Sequence, residues 1–200
     1  MHRFEDKRLP LISGAAFSPI GKAAEGWIML ERHGNLSSAA AVLFLLFWDE
    51  EKSKLKVVLT LRSTKLATHK GQISFAGGHR EKSDLSPEDT ALREAKEEIG
   101  LNPDKVQVLG RLPFVRSIDG KLVVPVVGFF EGMEKSFKAC PEEIEQIIFS
   151  DIESVLFENN QPFEFVLFGK KRESALYMCS GHKVWGLTAG IISEAMLEMP

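Results

Sequence analysis

The stretch Arg93-Glu94-Ala95-Lys96-Glu97-Glu98-Ile99-Gly100 decides the reading of this chain. Ser86-Pro87-Glu88-Asp89 ahead of it is a helix start: a hydroxyl to cap, a proline suited to the first helical position and an acid three residues after the cap. Gly100 supplies the stop. With Glu94 set at zero on a helical wheel, Glu98 falls at about 40° and Glu97 at about 300°, so three carboxylates share an arc of about 100°. Ala91, Ala95, Ile99 and Leu92 fall between about 60° and 160°, a core face directly beside the acidic one. Like charges at this spacing repel by roughly a few tenths of a kcal/mol per pair, and the helix C-terminus disfavours negative charge. Folding alone does not need this arrangement. A hard divalent cation removes both penalties, and Mg²⁺ or Mn²⁺ takes oxygen ligands. The plainer account is a solvated acidic face partnered by Lys96 and Arg93, so the flanking sequence has to decide.

Gly77-Gly78 precedes the helix by a short loop, and glycine lets the backbone approach a ligand or bend where other residues cannot. The segment Gly78–Leu101 resembles the signature of the Nudix family, G-x5-E-x7-R-E-U-x-E-E-x-G-U, through Gly78, Arg93, Glu94, Glu97, Glu98, Gly100 and Leu101. It departs at two points. Ala95 stands where a bulkier aliphatic is usual. The run from Gly78 to Arg93 is one residue longer than the general pattern, so the middle acid is Asp84, while the strict register would put Leu85 there.

Upstream, Leu59-Thr60-Leu61-Arg62-Ser63 and His69-x-Gly71-Gln72-Ile73-Ser74-Phe75-x-Gly77-Gly78 are similar to the block that precedes the signature in coenzyme A diphosphatases. Pro125-Val126-Val127-Gly128, Glu143-Ile144 and Trp185-Gly186-Leu187-Thr188-Ala189 extend the likeness over roughly residues 38–197. Ala76 replaces the proline usual before the glycine pair, and Asp119-Gly120-Lys121 stands where the subfamily tends to have Ser-Gly-aromatic.

The resemblance implies an α/β Nudix fold, an α/β/α sandwich with a mixed β-sheet. It implies Mg²⁺- or Mn²⁺-dependent hydrolysis of the diphosphate of coenzyme A or its derivatives to 4′-phosphopantetheine and adenosine 3′,5′-bisphosphate. Glu94 and Glu98 are the expected metal ligands, with Glu97 as a further ligand or the base and Glu143 as the other candidate base. Arg62, His69, Gln72, Gly77, Gly78 and Lys121 are the expected substrate-side residues. Arg62 has a planar fork suited to phosphate; His69 and Gln72 serve equally well to tie loop backbone together. Arg93 is expected to orient the helix carboxylates. The alternatives are a Nudix diphosphatase for another nucleoside diphosphate linked to X, such as ADP-ribose or a nucleotide sugar, and a Nudix-fold binding domain without turnover.

The rest of the chain agrees with a globular body. Its 200 residues are 44% hydrophobic and 26% charged, with a net charge of −3, which suits a small-molecule substrate and argues against a duplex-coating protein. Residues 1–37, broken by Pro10, Gly14, Pro19 and Gly21, read as an extension packing on a domain of residues 38–200. The opening MHRFEDKRLP lacks an apolar core, and the apolar run Ala39–Trp48 is too short to span a membrane. Cys140 and Cys179 form no metal-binding cluster and read as free thiols of a cytoplasmic protein. Strands are expected at Ala39–Trp48, Leu55–Arg62, Val106–Val115, Lys121–Phe130, Ile144–Phe149, Phe163–Phe168 and Ala175–Cys179. A short one is expected at Gln72–Phe75. Further helices are expected at Asp151–Phe157 and Trp185–Leu197. Oligomeric state is open.

Overall fold

Strand β1, Ala40–Asp49, is apolar at nearly every position because both of its faces are covered. In the computed structural model, which describes residues 39–66, 69–118, 120–157, 161–167 and 169–198, Ala41, Leu43, Leu45 and Phe47 pack with Ala91, Ala95 and Ile99 of helix α1, Pro87–Ile99. Phe44 and Leu46 point the other way, into a cluster with Val155, Ile191 and Ile192. The first comes from the short helix α2, Ile152–Phe157, and the other two from α3, Gly186–Glu198. Helices thus cover the two faces of one sheet, the sandwich expected from the sequence. The expected extension over residues 1–37 lies outside the described residues.

Strand β2, Lys54–Arg62, forms the expected hairpin with β1, and Asp49 caps its turn by accepting from the N–H groups of Glu51 and Lys52. Next come β3, Ile73–Ser74, and β4, Ala76–His79, then β5, Val106–Arg111, β6, Val115–Arg116, β7, Leu122–Phe130, and β8, Ile144–Asp151. The sheet runs β3-β2-β1-β7-β5, with β4 on β1, β6 on β7 and β8 on β2. Only the β1–β7 pairing is parallel among these described strands; it makes the sheet mixed. Strands β9, Gln161–Leu167, β10, Lys170–Cys179, and β11, His182–Val184, form a second sheet in the order β11-β10-β9, and α3 lies against β10.

Three expectations need correction. Val106–Val115 is two strands, not one. The gap at Leu112–Phe114 contains Pro113 and lies opposite Pro125, which accepts a bond from the Leu112 N–H and has no N–H to return. The two short strands Phe163–Phe168 and Ala175–Cys179 are arms of a longer hairpin, extended by a third strand through the tight turn Ser180-Gly181, where both residues have positive φ. The loop Ser63–Gly78 also carries more structure than a single short strand at Gln72–Phe75: its end is β4, which pairs with β1 and brings the glycine pair under α1.

Candidate active site

Helix α1 begins and ends as its sequence demands. Ser86 Oγ accepts from the Asp89 N–H, and Gly100 takes the left-handed conformation (φ 65°) with its N–H bonded back to the last turn. Burying Ala91, Ala95 and Ile99 fixes the rotation of the helix against β1 and β4. That rotation gives the three glutamates different surroundings, although they share one arc.

Glu98 is buried at 2% exposure. Its Oε2 accepts from the Gly77 N–H at 3.0 Å, and its Oε1 faces Arg62 Nη1 at 3.4 Å. Burial pushes its pKa up to about 7; the Gly77 N–H and Arg62 oppose this, and the charges of Glu94 and Glu143 add to it. Arg62 Nε is buried with no hydrogen-bond partner. The carboxylate and its cation are only partly satisfied by one another.

Glu94 lies over Gly78. A Cβ on Gly78 would stand 2.5 Å from the Glu94 carboxyl carbon, so the glycine is what admits the carboxylate. Burial raises the Glu94 pKa, Arg93 opposes the rise, and Glu97 and Glu143 reinforce it. Glu97 is exposed, its side chain at 58%, and meets Arg93 Nη1 at 3.2 Å.

Arg93 is the hub. Its guanidinium reaches Glu94 Oε1 at 3.0 Å, the His79 carbonyl at 2.8 Å and Asp84 Oδ2 at 3.0 Å. This is the expected orienting role. Asp84, which the sequence offered only as the middle acid of a lengthened spacing, is the anchor of that hub. It is buried and accepts from Arg93, Thr90 Oγ1 and the Glu81 N–H. Burial would raise its pKa, yet those bonds and the Arg93 charge hold it below the usual carboxylate range. Leu85, the strict-register alternative, is 82% exposed. The signal was present in the long spacing itself: the added residue brings an acid, not a leucine, back under Arg93.

The remaining candidates divide. Glu143 is exposed just before β8, whose pairing with β2 brings it beside Arg62; its carbonyl accepts from the Ser63 N–H. Gly77 and Gly78 stand against Glu98 and Glu94 as described. His69 and Gln72 bond one another, Nδ1 to Oε1 at 3.0 Å, in a loop closed by Arg62 and Gln72 backbone bonds, so they tie the loop. Lys121 meets His79 Nε2 at 3.5 Å. Among the described residues no group of three acidic, His or Cys side chains is gathered into a ready cation cage. One buried and one half-buried hard-oxygen carboxylate over a glycine pair nevertheless fit a cation such as Mg²⁺, which keeps waters and takes one or two carboxylates plus substrate phosphates.

The comparisons with known proteins bear on this arrangement. A family model described as the NUDIX domain matches residues 38–168. The chain belongs to the Nudix family. It is 35% identical over 145 residues to "Uncharacterized Nudix hydrolase NudL" of Pectobacterium atrosepticum, covering 72% of this chain and 74% of that one. It is 37% identical over 163 residues to "Nudix hydrolase 15, mitochondrial" of Arabidopsis thaliana, covering 78% of this chain and 56% of that longer one. Among solved structures, a MutT/nudix family protein from Enterococcus faecalis aligns over 91% of this chain and 73% of its own at a TM-score of 0.50 and 18% identity, a likeness of fold. The protein is therefore a Nudix hydrolase acting on phosphorus anhydrides, in a family that generally uses divalent metal ions. The alternative of a binding domain without turnover is set aside. Both cysteines are free, and burial pushes the Cys179 thiol up to about 12. Among the described residues no helix is long and apolar enough to cross a membrane.

Proposed function

We propose that this Nudix hydrolase cleaves the diphosphate of coenzyme A or its derivatives, giving 4′-phosphopantetheine and adenosine 3′,5′-bisphosphate. The choice of substrate is supported by the block Leu59–Gly78, whose resemblance to coenzyme A diphosphatases falls on residues at the site: Arg62 beside Glu98, and Gly77-Gly78 beneath Glu98 and Glu94. The observation that carries the hydrolytic reading is the buried Glu98, under-compensated at 3.4 Å from Arg62 and sharing its field with Glu94.

Glu98 and Glu94 would hold Mg²⁺ or Mn²⁺, with Glu97 as an outer ligand. Such a cation, when bound, neutralises the diphosphate and acidifies water. The chain's own residues do the rest. Arg93 fixes the Glu94 rotamer from a base anchored on Asp84, so the carboxylate is oriented before substrate arrives. Arg62, held beside Glu98, would present its planar guanidinium to a phosphate oxygen. Exposed Glu97 or Glu143 accepts the proton of the attacking water, which approaches one phosphorus in line with the departing oxygen. Cytoplasmic placement is part of the same reading and rests on the two free thiols.

A substrate panel of coenzyme A, ADP-ribose and a nucleotide sugar, with Mg²⁺ or Mn²⁺ and products weighed by mass spectrometry, tests the reading. Coenzyme A should give the highest kcat/KM. Preference for ADP-ribose or a nucleotide sugar sinks the coenzyme A assignment and leaves the diphosphatase standing.

A further inference from the structure

Successive residues of β4 meet different parts of the site. Gly77 bonds Glu98, Gly78 lies under Glu94, and His79, at the strand's end, is bonded through its carbonyl to Arg93 and through its ring to Lys121. Alternation along a strand turns the His79 side chain to the opposite side of β4 from Glu94. Sheet register explains how Lys121 gets there: His79 pairs with Ala40, and Ala40 with Val123, two residues beyond Lys121. The turn that presents Lys121 is held by its own carbonyl, which accepts from the N–H and Oγ of Ser117, while the exposed Arg116 Nη1 reaches the Gly120 carbonyl at 3.5 Å. This corner of a net-acidic protein therefore brings together Arg116, Lys121 and His79, with Arg80 following in the chain. The ammonium and the imidazole, 3.5 Å apart, are two nitrogen groups close enough for one anion to accept from both.

We propose that His79 and Lys121 form a phosphomonoester subsite, separate from the scissile diphosphate, which reads the 3′-phosphate of a coenzyme A-type substrate. The subsite deepens the coenzyme A reading and rests on it for the identity of that phosphate. Exposed Phe114 and Ile118 flank β6 at the same end of the sheet and offer apolar surface to the nucleoside that carries the phosphate.

The test is a ratio. For wild type, Lys121→Ala and His79→Ala, kcat/KM is measured on coenzyme A and on 3′-dephospho-coenzyme A. Wild type should favour coenzyme A by roughly tenfold or more, the lower end for a hydrogen bond to a charged group. Lys121→Ala should bring the ratio close to one, and His79→Ala should lower it less. Calorimetry gives a second readout without turnover: adenosine 3′,5′-bisphosphate should bind wild type more tightly than AMP, and Lys121→Ala should erase the difference. A wild-type ratio near one, or a ratio unmoved when Lys121 is removed, overturns the subsite even if coenzyme A is cleaved. If coenzyme A is not a substrate, the matched pair becomes ADP-ribose and its 2′-phosphate. There an unchanged ratio in Lys121→Ala overturns the subsite, and a collapsed ratio upholds it although the coenzyme A reading has failed.

Discussion

Two arginine–carboxylate pairs flank helix α1. Arg93–Asp84 is complete: the carboxylate accepts from the guanidinium, a hydroxyl and a backbone N–H, and stays ionised despite burial. Arg62–Glu98 is incomplete: one contact of 3.4 Å, one backbone N–H, a guanidinium nitrogen with no partner, and a carboxyl raised to about 7. Each pairs an arginine with a buried carboxylate. A buried pair whose lone pairs are all used acts as scaffold, whereas one left short retains capacity for a ligand that brings charge of its own. A site can thus be recognised by what its polar groups lack as well as by which residues it contains.

The comparison is most exposed at Asp84. Asp84→Ala leaves Arg93 without its anchor and should lower unfolding free energy by about 3–5 kcal/mol, the usual cost of breaking a buried pair; urea denaturation measures it. A loss below about 1 kcal/mol would show that this pair is not the scaffold. Glu98→Gln should do the reverse. Activity at low metal concentration should fall by more than the 10–100-fold typical of groups that only support metal ligands, while the folded protein is not weakened to match.

Glu98 also gives the comparison a pH signature in metal-free protein. Its folded pKa, about 7, lies above the ordinary value of 4.5. Between those values the folded state holds a proton that the unfolded state has released, so stability falls as pH rises from 4.5 to 7 and then levels. The change is at most about 3 kcal/mol at 1.36 kcal/mol per unit, and Glu98→Gln should lack it. Equal pH profiles for the two proteins, read by thermal or urea unfolding, would place Glu98 with the scaffold. Arg62→Ala should cost roughly 10–100-fold in kcat/KM. Because Arg62 lowers the Glu98 pKa, it should also move the pH at which the stability curve levels upward. The smallest effect on stability is expected at His69, whose ring bonds Gln72 within its own loop: His69→Ala should cost about 1 kcal/mol or less of stability.

Much of this molecule was legible in the chain. Helix α1 was readable because its cap, its stop and its apolar stripe are local features, each fixed by residues within a few positions of one another. The hairpin of β1 and β2 and the almost wholly apolar β1 followed from a pattern that only a strand buried on both faces needs. The break between β5 and β6 was not legible, since it depends on the segment around Pro113 lying opposite Pro125 of β7 across a pairing that joins distant segments, with Leu112 bonded to the Pro125 carbonyl. The β9–β10 hairpin read as fragments because its alternation is interrupted by charged and small residues in Lys170–Ser174.

The catalytic region divides along the same line. The sequence by itself determined that three glutamates share one arc of a capped helix, that two glycines precede them and that the chain is a Nudix hydrolase. Only the tertiary structure decided that Glu98 goes inward against Gly77 and Arg62, that Glu97 stays in water and that Asp84 anchors Arg93. A helical wheel assigns direction from 3.6 residues per turn. The environment of a carboxylate is set by what β2, β4 and the loop before α1 place in that direction, and those contacts span 9 to 36 residues of chain.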